Sequence, residues 1–140
     1  MGRMERTLIL LKPDTVERQL IGTVLGRFEQ KGLKITALKM LQFTTELAKQ
    51  HYADHLDKPF YPGLEAYIVS GPVVAAILEG DEAVAVVRRM IGPTNGIEAP
   101  AGTIRGDLSL SSRRNLVHAS DSLDAAEREI ALFFRVDSQS

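Results

Sequence analysis

A chain of 140 residues is the size of one ordinary domain, and its 44% hydrophobic and 25% charged residues exclude a disordered or fibrous protein. Lys plus Arg number 17 and Asp plus Glu 18, a net charge of −1 that gives no global attraction to nucleic acid or anionic membrane, so any anionic ligand must be held locally. The absence of cysteine excludes disulfides, thiolate catalysis and a Cys-based zinc site, and makes the reducing cytoplasm the expected compartment.

The chain begins MGRMERTLILLKPD, with too few apolar residues before Lys12 and Pro13 for a secretory segment. Thr7 to Leu11 reads as a buried strand stopped by Lys12-Pro13-Asp14, because proline cannot extend a ladder; Lys12 therefore sits at a strand's end. Ile21, Val24, Leu25 and Phe28 recur at helical spacing, and Lys31-Gly32 supplies a basic last turn and a stop. Leu33, Ile35 and Ala37 alternate with polar residues in a second strand, with one solvated face, that runs to about Phe43. Thr44 and Thr45 offer hydroxyl caps to a helix expected to continue through His55, with Tyr52 on its inner face.

Lys58 to Gly63 is turn chemistry bearing two aromatics, and Leu64 to Val69 fits either a short helix or a strand. The most apolar stretch, Tyr67 to Leu78, is interrupted by Ser70, Gly71 and Pro72 and falls short of the roughly 18 residues needed to span a bilayer, so a soluble protein is expected. Pro72 to Leu78 reads as a buried strand ended by Glu79-Gly80. Asp81 would cap the next helix, with Val84, Val87 and Ile91 facing the core and Arg88 and Arg89 in its last turn. From Gly92 to Arg114 there is no sustained period but four glycines and two prolines, the mark of a long functional loop. Asn115 to Val117 fits a last short strand, and Ser120-Asp121-Ser122 caps a helix with Leu123, Ala126, Ile130, Phe133 and Phe134 on one face. His118 would fall between the two.

This order is the split β-α-β pattern of a ferredoxin-like α+β fold, a single domain over residues 1–140: a four-stranded antiparallel sheet covered by helices, which the motif places on one face. Such a fold hosts many functions, and the chemistry must discriminate. Neither a GxxxxGK[ST] loop nor a GxGxxG turn is present, so a backbone phosphate cradle is not expected and side chains are the candidates to hold any phosphate. Lys12, Arg88, Thr94, Arg105 and Asn115 lie at element ends, where they could do so. His118 precedes a helix N-terminus, itself favourable to anions, beside the small Ala119. Glu129, at the edge of the last helix's apolar face, reads as a solvated carboxylate from spacing alone.

The run Asn115 to Ser122, with histidine fourth and Ser-Asp-Ser closing it, resembles the active-site signature of nucleoside diphosphate kinases. Segments RTLILLKPD (Arg6 to Asp14), RFEQKG (Arg27 to Gly32), QHY (Gln50 to Tyr52), KPFYPGL (Lys58 to Leu64), SGPVVA (Ser70 to Ala75) and GTIRGD (Gly102 to Asp107) are similar to that family's, in family order. The resemblance implies that His118 accepts the phosphoryl group from a nucleoside triphosphate, typically ATP, and passes it to a nucleoside diphosphate in ping-pong fashion. It further implies that Glu129 orients the imidazole with Ser120 beside it. Tyr52 would border the phosphate pocket, Phe60 stack on the base and Leu64 pack nearby. Arg88, Thr94 and Arg105 would hold phosphates, with Lys12 and Asn115 on the sugar hydroxyls and Lys12 also on the transferred phosphate. Mg²⁺ is the implied cofactor, bound through the phosphates rather than by protein ligands, and a homo-oligomer, tetramer or hexamer, is the implied assembly. Ala119 stands where the family often has glycine, and Gly96 where many members have proline.

Three other readings compete. His51 and His55 form an i, i+4 pair, but Tyr52 replaces the glutamate of HExxH and no third ligand is evident. Ser120, His118 and Asp121 are sequence neighbours and poorly suited to triad geometry. A non-catalytic ferredoxin-like module binding nucleotide or RNA would want aromatics on its strands and a basic face, whereas these strands are aliphatic.

Overall fold

The computed structural model of the chain describes residues 2–134. Its elements are β1 (Met4–Leu11), α1 (Pro13–Glu17), α2 (Ile21–Lys31), β2 (Lys34–Gln42), α3 (Thr45–His51), a 3₁₀ turn (Ala53–His55), α4 (Tyr61–Ile68), β3 (Pro72–Asp81), α5 (Ala83–Ile91), α6 (Ile104–Leu108), β4 (Val117–Ala119) and α7 (Leu123–Phe133). The four strands form one sheet in the order β2-β3-β1-β4, every neighbouring pair antiparallel, as the split β-α-β reading requires.

Leu8 to Leu11 are fully buried, because β1 is covered on both faces. Ile9 and Leu11 pack with Val24 and Phe28 of α2 and Val87 and Ile91 of α5. Leu8 and Leu10 pack on the opposite side with Ala48, Ile68, Ile130 and Phe133, from α3, α4 and α7. Helices therefore lie on both faces rather than one, and an unbroken apolar run is what such a doubly covered strand needs. β2 is an edge strand whose Leu38 and Met40 are more than half exposed.

Several boundaries move, each for a tertiary reason. β1 starts at Met4 and β3 continues through Glu79-Gly80 to Asp81, because the two strands pair from Met4↔Asp81 to Leu11↔Val74 and the ladder carries the polar ends. Asp81 is thus a strand residue, and Val84 is only half-buried while Ala83 joins Val87 and Ile91 in the core. The helix after Thr44, whose hydroxyl accepts from Leu47 N at 3.0 Å, ends at His51, so His51 and His55 do not share a helical face. The Tyr61–Ile68 segment is a helix, and the long loop contains α6, capped by the Thr103 hydroxyl accepting from Gly106 N at 2.9 Å. Ser122 supplies the cap of α7, as its hydroxyl accepts from Ala125 N at 3.0 Å, but Leu123 is exposed while Glu129 is buried.

The last strand is Val117–Ala119, two residues later than its composition suggests, and its register pairs Leu10 with His118. Cross-strand partners share a face, so His118 lies on the α3/α7 side. Val117 and Ala119 point into the α2/α5 core. The N-terminus of α5 has no cap of its own, since Glu82 stands in the left-handed region at φ 55° and makes no side-chain cap. Glu5 of β1 supplies one, its carboxylate accepting from Val84 N at 3.1 Å. Glu5→Ala should lower stability by about 1 kcal/mol, as loss of a side-chain cap does, with Glu5→Gln recovering most of it; equal urea midpoints for all three proteins would contradict this capping.

Candidate active site

Between the end of the sheet, the α3–α4 insertion and the long loop lies a cavity of about 500 Å³. Lys12, Arg88, Arg105, Thr94 and Asn115 line one part of it, Tyr52, Phe60 and Leu64 another, and His118 its base. Ser120 and Glu129 sit behind His118, so the fold brings together every residue singled out in the sequence. His55, Ser112, Arg113 and Asp121 also line the cavity, and the sequence reading had assigned none of them to a nucleotide site, His55 and Asp121 having entered only as a metal ligand and a triad member. Arg113 had one signal, the Arg113-Arg114 pair before Asn115 at the end of the glycine-containing loop, which does not tell the two apart. Its guanidinium lies against Gly63 of α4, where a Cβ would come within 2.6 Å of Nη1, so a side chain there would displace the end of Arg113.

The base is set by Glu129. One carboxylate oxygen, Oε1, accepts from Ser120 Oγ at 2.7 Å and lies 3.1 Å from His118 Nε2. Burial alone would raise this carboxyl, but the hydrogen bond and charge of His118, with Ser120 and His51, outweigh it and hold Glu129 below its usual range. A carboxylate beside Nε2 favours the tautomer with its proton there, and among the described residues Nδ1 has no hydrogen-bond partner. Behind this pair His51 packs edge-on to His118, ring centroids 4.7 Å apart, amid Phe43, Tyr52 and Phe133. Burial, then His118, drives His51 down to about 3, so it is a neutral imidazole, and both its ring nitrogens are buried without a partner.

The cationic side is built from backbone carbonyls. Arg105 is 6% exposed; its Nε donates to Asn115 O at 3.2 Å, Nη1 to Gly92 O at 2.9 Å and Nη2 to Val117 O at 2.7 Å. Of five guanidinium N–H groups two remain for a ligand. Burial, then Arg88, lowers Arg105 to about 10, which leaves it charged at neutral pH. Lys12 Nζ donates to Asn115 Oδ1 at 2.8 Å, and burial, then Arg105, lowers it to about 8 against the opposing pull of Asp14. Asn115 spends its amide on Thr94 O and Ser112 O at 3.0 and 2.9 Å, pinning the loop to the end of β1. Arg88, the more exposed of the two arginines, reaches Ala119 O at 3.4 Å. Phe60 is 49% exposed at the mouth, Leu64 is half-buried, and burial holds the Tyr52 hydroxyl un-ionised.

The two departures from the family pattern have local explanations. Ala119 packs in the α2/α5 core, on the sheet face opposite His118, and also lines the cavity. Gly96 is buried and its N–H donates to Ser111 O at 3.1 Å, a bond that proline cannot make.

A histidine with one nitrogen held by a carboxylate, facing arginine and lysine in a site without a glycine-rich loop, is the arrangement of a phosphotransfer enzyme. The model of the nucleoside diphosphate kinase family matches residues 5–138. A nucleoside diphosphate kinase of Rhodopirellula baltica is 62% identical over 134 residues, covering 96% of this chain and 88% of its own. One of Staphylothermus marinus is 60% identical over 133 residues, covering 95% and 94%. The solved structure of a halophilic nucleoside diphosphate kinase from Halobacterium salinarum in complex with CDP superposes with a TM-score of 0.93 at 48% identity, covering 98% of this chain and 90% of that one. The chain belongs to the nucleoside diphosphate kinase family.

Arg105→Lys keeps the charge but cannot serve three carbonyls, and should cost about 2–4 kcal/mol from buried acceptors left without donors. Chemical denaturation checks this; an unchanged midpoint would mean that Arg105 is not the strut described.

Proposed function

We propose that the chain transfers the γ-phosphate of a nucleoside triphosphate, typically ATP, to a nucleoside diphosphate by a ping-pong mechanism, with His118 as the covalent carrier and one domain performing both halves. The observation that carries this reading is the pairing of His118 Nε2 with Glu129 at 3.1 Å at the base of a cavity lined by Lys12, Arg88 and Arg105.

In the first half, the Nδ1 lone pair attacks the γ-phosphorus, the N–P bond forms and the bond to the β–γ bridging oxygen breaks, releasing the diphosphate. In the second half, a terminal oxygen of the incoming diphosphate attacks phosphorus and the N–P bond breaks, restoring His118. Glu129 keeps the Nε2 proton in place throughout and offsets the positive charge that the phosphorylated ring acquires, while Ser120 fixes the carboxylate. Arg88, Thr94 and Arg105 hold the phosphates, and Lys12 contacts both the transferred phosphate and, with the remaining lone pair of Asn115 Oδ1, the sugar hydroxyls. Tyr52 borders the phosphates. Phe60 stacks on the base with Leu64 beside it, and since every base has a π-face this recognition accepts any of them. The complex of the Halobacterium salinarum relative with CDP supports a nucleotide ligand for this chain.

Mg²⁺ fits the donor set. Asp121 is the one carboxylate lining the cavity among the described residues, and Mg²⁺ is commonly held by one or two carboxylates together with substrate phosphates and water. Asp121 would meet it, and the ion would supply further neutralisation of phosphate charge. The rival reading as an RNA-binding sheet is disfavoured, because helices pack on both faces of the central strands and the exposed edge strand β2 carries no aromatic residue. Among the described residues no helix is long and apolar enough to cross a membrane; we place the protein in the cytoplasm, as a homo-oligomer, tetramer or hexamer.

Incubation with ATP labelled in its γ-phosphate should leave acid-labile, base-stable label on the protein and none on His118→Gln; label retained by that variant would overturn the assignment. Glu129→Ala removes a charged hydrogen bond of about 1.5–3 kcal/mol, so turnover should fall roughly 10- to 10²-fold with nucleotide affinity nearly unchanged. A matching loss of affinity would contradict the orienting role.

A further inference from the structure

His51 is a buried polar group in contact with His118 to which the phosphotransfer reading assigns no task. It is 6% exposed, and neither ring nitrogen has a hydrogen-bond partner. Ligand atoms of His51, His118 and Glu129 lie within 4.8 Å of one another. Two imidazoles and one carboxylate are the donor set of a zinc site that keeps a fourth position open. We infer that His51, His118 and Glu129 form a binding site for Zn²⁺, which holds His118 in a form that cannot accept phosphate.

The geometry needs little adjustment. Bonds of about 2.0–2.2 Å at tetrahedral angles put two ligand atoms roughly 3.3 Å apart, and His118 Nε2 and Glu129 Oε1 are already separated by 3.1 Å. The ion replaces the hydrogen bond between them: the proton leaves Nε2, whose lone pair binds zinc, and the ring carries its proton on Nδ1, which then has no lone pair to attack phosphorus. His51, whose ligand atom already lies within 4.8 Å of the others, moves in as the third ligand. The fourth position goes to water or to the Ser120 hydroxyl, which already touches the same carboxylate oxygen. Imidazole donors select zinc and its neighbours over Mg²⁺, which prefers oxygen, so this site and the nucleotide's Mg²⁺ do not compete for one ion. Aromatic rings of Phe43, Tyr52 and Phe133 enclose His51 and keep competing water away. Entry is from the cavity, past the 24% of the His118 side chain that remains exposed.

Binding does not depend on His118 being the phosphate carrier, whereas inhibition does, and two arms of one experiment keep these apart. In the first, the full chain without nucleotide is titrated calorimetrically with ZnCl₂ and, separately, with CoCl₂ while the visible spectrum is recorded. One ion per chain and the intense absorption of four-coordinate cobalt are expected. His51→Phe, which suits the surrounding aromatic rings, should bind zinc at least a hundredfold more weakly. Equal affinity in that variant, or a six-coordinate cobalt spectrum in the unaltered chain, would overturn the site; the cobalt spectrum decides even if the variant fails to fold. In the second arm, zinc-loaded protein freed of excess metal is given labelled ATP. Labelling should fall at least tenfold relative to metal-free protein and return with EDTA, and the same treatment should not alter the labelling of His51→Phe. Undiminished labelling of zinc-bound protein would overturn the inhibition, and absence of label from metal-free protein would instead contradict the carrier role of His118.

Discussion

Glu129 stands on the sheet-facing side of α7 with 4% of its surface exposed, and a buried carboxylate keeps its charge only where donors or opposite charges surround it. The donors are His118 and Ser120, on either side of Ala119 at the end of β4. Meeting both at once ties the register of β4 on β1 to the position of α7. The pairing of His118 with Leu10 puts the imidazole on the α7 side, and one residue's slip would turn it into the opposite core. The same interaction leaves one imidazole nitrogen facing the cavity, which links the packing of the last strand and helix to the proposed chemistry.

The cationic side of the cavity is organised by a second constraint, the path of the backbone through Asn115 and Leu116. Leu116 holds φ of 76°, an uncommon conformation for a residue with a branched side chain, and its side chain is fully buried. Lys12 N and the Thr15 hydroxyl donate to its carbonyl at 2.8 and 2.6 Å, while Arg105 grips the carbonyls on either side. Strain of this kind persists where its surroundings over-determine it. The result is a rigid seat in which Asn115 and Arg105 are placed by bonds to backbone and Lys12 by the Asn115 side chain, so these cations are fixed by the protein's own groups.

Periodicity carried the reading of the sequence where packing is local. TLILL, the α2 stripe ending at Gly32 and the Ser122 cap are all decided by residues near one another in the chain. Features that depend on distant partners were not legible. The cap of α5 comes from Glu5, 79 residues earlier. The last strand's position follows from its register on β1, which composition does not encode. Five-residue α6 is too short to show a period. Glu129 looked solvated because its neighbours on the helix do not reveal that His118 and Ser120 await it across the fold. The same limit applied to His51: its i+4 partner is separated by the end of α3, while the groups it does meet come from β4 and α7. The cavity residues were found through resemblance of whole segments, since surface lysines and arginines one at a time carry no such signal.

The central claim is that Glu129, by holding Nε2, leaves Nδ1 of His118 to carry the phosphate. Phosphorus NMR of the freshly labelled protein, unfolded in alkali where phosphohistidine survives and compared with the two phosphohistidine isomers, reads this directly. The account predicts the resonance of Nδ1-phosphohistidine alone. Phosphate on Nε2 would contradict it, because that nitrogen could then not be held by the carboxylate during transfer.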